Sequence, residues 1–306
     1  MTADRAPASA PPPLGWRSWV AGARPRTLPA AVVPVLVGTA AAAGVAPVVA
    51  WRALAAGVVA LALQIGTNFA NDYSDGVRGT DDPGSRVGPV RLVGWGLQPP
   101  SAVKVAAFIS FGVAGVAGLA LAVAVGPELV VVGAAAMAAG WFYTGGRHPY
   151  GYYGFGEAFV FVFFGLVATA GSTYVQTESL TALSLVAAVP VGLLATALLV
   201  INNLRDIPGD TAANKRTLAV RLGDGRTRAL YVGMLVLAFV FVPVVAGGFD
   251  RAPAAVALVG VVLARRPVIR VLEGARGPAL IPVLGSTGRV QLISGALLAA
   301  GLWIGA

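Results

Sequence analysis

Cysteine is absent from the 306 residues, which excludes disulfides and any thiol-held metal centre. Charge is scarce as well. Asp, Glu, Lys and Arg make up 11% of the chain, where a soluble domain carries about 25%, and the mean hydropathy is +0.79. So little charge excludes an ordinary water-solvated globule and names a lipid bilayer as the solvent. Alternation is missing too: "AVKVAAFISFGVAGVAGLALAVAV" (102–125) has no in–out period, which excludes the strands of a membrane barrel. Acids are the scarcest charge, 13 against 22 Lys and Arg, for a net charge of +9.

What is present is a series of apolar runs long enough to cross about 30 Å of hydrocarbon as helices. Helices satisfy their own backbone polar groups, which the bilayer core demands. Nine spans are expected, at 28–46, 51–70, 103–125, 128–144, 157–175, 180–203, 229–247, 252–264 and 285–304. The Pro- and Ala-rich 1–24 reads as a disordered or interfacial segment, and 25–306 as a single transmembrane domain. A signal peptide is the weaker reading of the first run, because further spans follow at once. Trp16, Trp19 and Trp95 read as interface anchors.

With nine spans, all but two of the 22 basic residues fall on the face shared by the N-terminus and the loops after spans 2, 4, 6 and 8; only Arg52 and Arg251 fall opposite. Such asymmetry makes that face cytoplasmic, in the cell inner membrane. The net positive charge then serves topology and anionic lipid. Nucleic-acid binding is not expected, because the charges are spread over several loops of a membrane protein.

Against this background, "NFANDYSDGVRGTDDPGSRVGPVR" (68–91) spends four scarce acids at the end of span 2. Asn68, Asp72 and Asp75 are spaced i, i+4, i+7, one stripe of a helix. Near the end of span 6, "INNLRDIPGDTAANKRTLAVRLGD" (201–224) repeats the pattern, with Asn202, Asp206 and Asp210 at i, i+4, i+8. Asp210 lies just past Pro208–Gly209, which predicts that this helix ends near there. Carboxylates crowded on a stripe repel unless something positive lies among them. Oxygen donors of this kind suit Mg²⁺, which takes one or two carboxylates together with substrate phosphates. Arg78, Arg86, Arg91, Lys215 and Arg216 suit phosphate oxygens directly. The two clusters together read as a diphosphate site; one alone would read equally well as turn-forming interfacial loop. The likeness of spans 2 and 6 suggests a duplication.

Together with "WFYTGGRHPYGYYGFGE" (141–157), the two segments resemble the UbiA superfamily of intramembrane prenyltransferases, in particular its menaquinone-pathway branch. The carrying features are Asn-x-x-x-Asp and Asn-Asp-x-x-Asp, Arg-x-Gly-Pro-x-Arg, and Asp-x-x-x-Asp followed by Lys-Arg-Thr-Leu. The resemblance covers nearly the whole membrane region. It implies an all-α membrane protein of about nine transmembrane helices around a central cavity. It implies Mg²⁺-dependent transfer of a polyprenyl group from its diphosphate to 1,4-dihydroxy-2-naphthoate, with loss of CO₂. It further implies that Asn68, Asp72 and Asp75 hold one Mg²⁺ and that Asp206 and Asp210 hold another. Where many relatives carry a third acid this chain has Gly76, so Asp75 and Asp81 are expected to supply that role. Arg86 and Arg91 are candidates for the naphthoate carboxylate or the diphosphate. Tyr143 and Thr144 are candidates for the ring or reacting carbon, with an interfacial aromatic belt as the alternative. His148, the single histidine, reads as a loop residue, and Glu157 as an acid favouring a helix N-terminus.

Two rivals differ in class. A secondary transporter would set its acids near the midplane on broken helices, not at one interface beside bases. An intramembrane phosphotransferase would need Asp-Gly-x-x-Ala-Arg, and "DGVRGT" (75–80) diverges after its start. Within the resemblance, other aromatic acceptors (4-hydroxybenzoate, homogentisate, haem or a chlorophyll precursor) remain alternatives.

Overall fold

In a computed structural model, residues 15–81, 88 and 90–306 are described. The chain forms helices α1 (Trp16–Ala23), α2 (Pro29–Ala42), α3 (Ala50–Val77), α4 (Pro100–Ala124) and α5 (Glu128–Phe142). It continues with α6 (Gly156–Thr177), α7 (Ala182–Ala212), α8 (Leu218–Gly248), α9 (Val259–Leu272) and α10 (Leu280–Ile304). No strand occurs among the described residues. Local chemistry sets several ends. Pro29 and Pro100 open α2 and α4 at the position where a missing amide costs nothing. Thr181 and Thr217 cap α7 and α8 by accepting the amides of Ser184 and Val220.

Among the described residues, six helices are long and apolar enough to cross a membrane, and a seventh if the bent pair Trp16–Thr27 and Pro29–Ala42 counts as one. All nine expected runs contain helix, yet length alone does not support nine crossings. Helix α5 has 15 residues, and the eighth run is divided between a 3₁₀ segment, Ala252–Leu258, and α9. The expected N-terminal segment divides as well: 1–14 lies outside the described residues, and 16–23 is α1. Trp19 is no free anchor, because its ring packs edge-on against Phe69 at 5.8 Å; Trp16 is exposed.

Two apolar clusters flank an open centre. The larger joins α2, α7, α8 and α10 through Val33, Val37, Leu194, Ile201, Tyr231, Leu235 and Leu298. The smaller joins α3 and α4 through Phe69, Ala70, Val103, Ala107 and Phe111, with Leu92 of the intervening loop. Helices α6 and α7 touch backbone to backbone: a Cβ on Gly192 would lie 3.0 Å from the Gly165 Cα. Around the outside, Val116, Val123, Val131 and Val262 are exposed, an apolar belt suited to lipid.

Arg52 and Arg251 gather helix ends at the face opposite the acidic motifs. Arg52 donates to Val175 O at 3.0 Å and Ala124 O at 3.2 Å and pairs with Glu178 at 3.0 Å. Arg251, buried, donates to Ala43 O at 2.8 Å. Cations near terminal carbonyls are favourable. Arg251→Ala should therefore lower stability by about 1–3 kcal/mol with product yield per folded molecule retained. Melting in detergent measures this, and an unchanged midpoint would show that the contact adds nothing.

Candidate active site

The space between the clusters is a cavity of about 960 Å³. Its long wall is apolar, from Leu63 of α3 and Gly118 of α4 through Gly133 and Ala136 of α5 to Phe163, Phe164 and Val167 of α6. Its head carries Asp75, Asp206 and Asp210 beside Arg24, Arg26, Arg91, Arg205 and Lys215. Three carboxylates against five cations leave this end two charges positive, a suitable counter-field for a diphosphate.

Helix α3 supplies one side of the head. Its cavity stripe runs Ala60, Gln64, Thr67, Asn68, Asn71 and Asp75, the three-and-four spacing of one helical face. Asp75 is buried and doubly held: Lys215 Nζ lies 3.0 Å from Oδ2, and the Tyr152 hydroxyl donates to Oδ1 at 2.6 Å. Lys215 Nζ also stands 4.8 Å from the Tyr152 ring centroid, a cation–π distance. Burial first, and then the Asp75 charge, pushes the Tyr152 phenol above its ordinary value, so at neutral pH it remains a donor. Thr144 Oγ1 donates to Asn71 Oδ1 at 2.8 Å, which fixes that amide at the cavity edge.

Helix α7 supplies the other side. The helix expected to end near Pro208–Gly209 runs on to Ala212, and the chain turns out at Asn214 in the left-handed conformation, φ 55°. Pro208 lacks an amide and crowds the carbonyl one turn back, yet the helix passes it and is closed beyond it by Lys215 N to Asp210 O at 2.8 Å. Asp206 and Asp210 thus stay one helical turn apart on one face. Arg205 binds Asp206 through two contacts of 2.7 Å and Asn202 Oδ1 at 2.9 Å. Thr217 Oγ1 lies 3.5 Å from Asp210 Oδ2. Glu157, in the first turn of α6, accepts from Asn203 Nδ2 at 2.9 Å.

Of the residues singled out from sequence, Asn68, Asp75, Arg91, Tyr143, Thr144, Asn202, Asp206, Asp210 and Lys215 line this one cavity. Asp72, Arg78 and Arg216 are not part of its wall. Both Asp72 oxygens accept backbone amides, Leu92 N at 2.9 Å and Val93 N at 3.0 Å. The Arg78 guanidinium donates to Thr144 O and Gly146 O, pinning the loop after α5. Arg216 is exposed. Arg86 lies outside the described residues. Asn68 faces the cavity, but its amide nitrogen is committed to Ala23 O at 2.9 Å and Thr27 Oγ1 at 3.2 Å. Asp81 is fully buried 3.2 Å from Arg91 Nε rather than on the cavity wall. Gly76 cannot carry the acid found in many relatives: a Cβ there would lie 2.5 Å from the Val93 side chain. Tyr152 and Arg205 also line the cavity without having been singled out, and Asn71, part of Asn-Asp-x-x-Asp, had been given no role of its own. For Asn71 the signal was present, since Gln64, Thr67, Asn71 and Asp75 continue the polar stripe; for Arg205 and Tyr152 there was none.

The donor set fits a hard cation by chemistry, being entirely carboxylate and amide oxygen. Among the described residues no three acids stand together as ligands of a single ion. Asp75 with Asn71 on one helix and Asp206 and Asp210 with Asn202 on the other therefore form two half-sites, each needing further oxygens from a ligand.

A helical membrane bundle closing an oxygen-rich, cation-flanked head onto a long apolar cavity is the design of an intramembrane transferase for lipid diphosphates. The chain belongs to the UbiA prenyltransferase family, whose profile matches residues 31–277. It is 52% identical over 289 residues, 94% of this chain and 97% of the relative, to the 1,4-dihydroxy-2-naphthoate octaprenyltransferase of Mycobacterium tuberculosis (strain ATCC 25618 / H37Rv). It is 38% identical over 225 residues, 72% of this chain and 73% of the relative, to the enzyme of that name from Escherichia coli (strain K12). Among solved structures, a UbiA homolog from Aeropyrum pernix K1 superposes with a TM-score of 0.66 at 15% identity, over 91% of this chain and 96% of the other.

Proposed function

We propose that the chain is a multi-pass membrane enzyme transferring a polyprenyl group from polyprenyl diphosphate to 1,4-dihydroxy-2-naphthoate. Diphosphate and CO₂ leave, giving the demethylmenaquinone skeleton of menaquinone biosynthesis. The observation that carries this reading is the pairing of Lys215 with Asp75 inside the cavity, because it joins the second motif to the first around one space. The names of the relatives support the acceptor, and a UbiA homolog from Archaeoglobus fulgidus has been solved bound to DMAPP and Mg²⁺.

Ionising an allylic carbon–oxygen bond leaves a carbocation and a diphosphate, so fixed positive charge at the leaving oxygens lowers the barrier. Lys215, Arg205 and Arg91 present that charge. Bound Mg²⁺, held by Asn71, Asp75, Asn202, Asp206 and Asp210, would supply further Lewis-acid stabilisation. Phe159, Phe163 and Phe164 line the wall and exclude water that would otherwise capture the cation. Tyr143, on the same wall, is placed to contact the acceptor ring. The head faces the cytoplasm, with the N-terminus on that side of the inner membrane, because the basic residues gather there. Residues 25–306 act as one transmembrane domain, preceded by an N-terminal segment at the interface.

The test incubates purified protein with polyprenyl diphosphate, Mg²⁺ and a panel of 1,4-dihydroxy-2-naphthoate, 4-hydroxybenzoate and homogentisate, followed by mass analysis. A decarboxylated prenyl naphthalenediol is expected. Selective prenylation of another acid would overturn the acceptor, and no diphosphate release with any of them would overturn the enzyme.

A further inference from the structure

Asp72 lies beside the cavity residue Asn71 yet points elsewhere. It is fully buried at the end of α3, and its two oxygens each accept a backbone amide, from Leu92 and from Val93. Those amides follow directly on Arg91, which lines the cavity head. The same short segment is pressed onto α3 at a second point, where Gly76 leaves room for Val93: a Cβ on Gly76 would come within 2.5 Å of it. Leu92 is meanwhile sunk among Phe69, Ala70 and Val103. A carboxylate bonded to two backbone amides has its acceptor sites turned toward the chain, and such charge-assisted bonds are the stronger kind.

We infer that Asp72 is a positioning residue: by clamping the amides of Leu92 and Val93 it holds the Arg91 guanidinium at the cavity head. The inference rests on the reading of that head as the diphosphate and acceptor site. A carboxylate is needed because Asp72→Asn leaves one acceptor oxygen and turns an NH₂ group toward an amide N–H, so one bond is lost and a donor clash replaces it.

The test compares Asp72→Asn, Arg91→Ala, the double variant and Gly76→Ala in detergent-solubilised full-length protein. Hydrogen exchange at Leu92 and Val93 should accelerate at least about tenfold in Asp72→Asn, the scale of a lost charge-assisted bond. Arg91→Ala should leave it unchanged. KM should rise about tenfold for the same substrate in Asp72→Asn and in Arg91→Ala, with the Mg²⁺ concentration for half-maximal rate unmoved. The double variant should be no worse than Arg91→Ala alone, as for residues acting through one contact. Gly76→Ala, which wedges the segment without touching an acid, should give the same signature, so a poorly folding Asp72→Asn would not leave the matter open. A raised Mg²⁺ requirement in Asp72→Asn, or multiplicative effects in the double variant, would overturn the inference in favour of a metal ligand. Wild-type protein without turnover would count against the function itself, while the exchange measurement still decides whether Asp72 holds the segment.

Discussion

Asp206→Asn should cut diphosphate release about a thousandfold while the protein stays folded and extracts normally in detergent. The substitution keeps the side-chain volume but removes the negative charge that Arg205 grips through two contacts of 2.7 Å. Two things are then lost. The α7 half-site has only Asp210 as a charged donor, and the Arg205 guanidinium, one of the cavity-lining groups, loses the carboxylate that fixes it. Because neither the large apolar cluster nor a helix cap depends on Asp206, its melting point should fall by little. The measurement is single-turnover diphosphate release at saturating Mg²⁺, read beside a melting curve. Turnover within about threefold of the parent would remove Asp206 from the chemistry.

The second large effect belongs to Lys215. Its ammonium ties the loop after α7 to Asp75 on α3 at 3.0 Å and lies over the Tyr152 ring, so it is both a fixed charge at the head and a link between its two sides. Lys215→Gln should lower kcat about a hundredfold, the scale for removing one pre-placed donor from a developing anion. KM for the prenyl diphosphate should move much less, since the charge on the diphosphate grows as the bond breaks and the missing cation is felt most there. Lys215→Arg should recover only part of the loss, because the longer, planar guanidinium spreads its charge over a fork and cannot put a compact point charge at the single Asp75 oxygen that the ammonium meets. A rise in KM alone, with kcat intact, would assign Lys215 to ground-state binding and not to leaving-group stabilisation.

Both predictions depend on the two motifs meeting, and the sequence anticipated that meeting better than its details. The polar stripes at 68–75 and 202–210 stood out because acids are costly at the end of an apolar run, and the comparisons place the chain in the family those motifs resemble. At Asp72 the reading of the stripe as one surface meets a different geometry. Asn68, Asp72 and Asp75 do share a helical side, but the chain after residue 90 folds back over part of it and claims Asp72 with its backbone amides. Spacing along one helix carries no information about which portion a distant loop will cover. The same limit hid Arg205, adjacent in sequence to Asp206, where neighbouring side chains on a helix do not ordinarily face each other. It also hid Tyr152, which reaches Asp75 across 77 positions of sequence.

Composition and periodicity by themselves determined the solvent, the helical class and the two polar stripes at the ends of apolar runs. The transfer free energy of apolar surface and the self-satisfied backbone of a helix are local properties that each run carries with it. The tertiary structure alone decided which oxygens face the cavity, which cation holds which acid, and that α7 passes Pro208 to keep Asp206 and Asp210 on one face. Those outcomes depend on contacts between segments far apart in the chain, where packing and buried hydrogen bonds choose among side chains that local rules treat as equivalent.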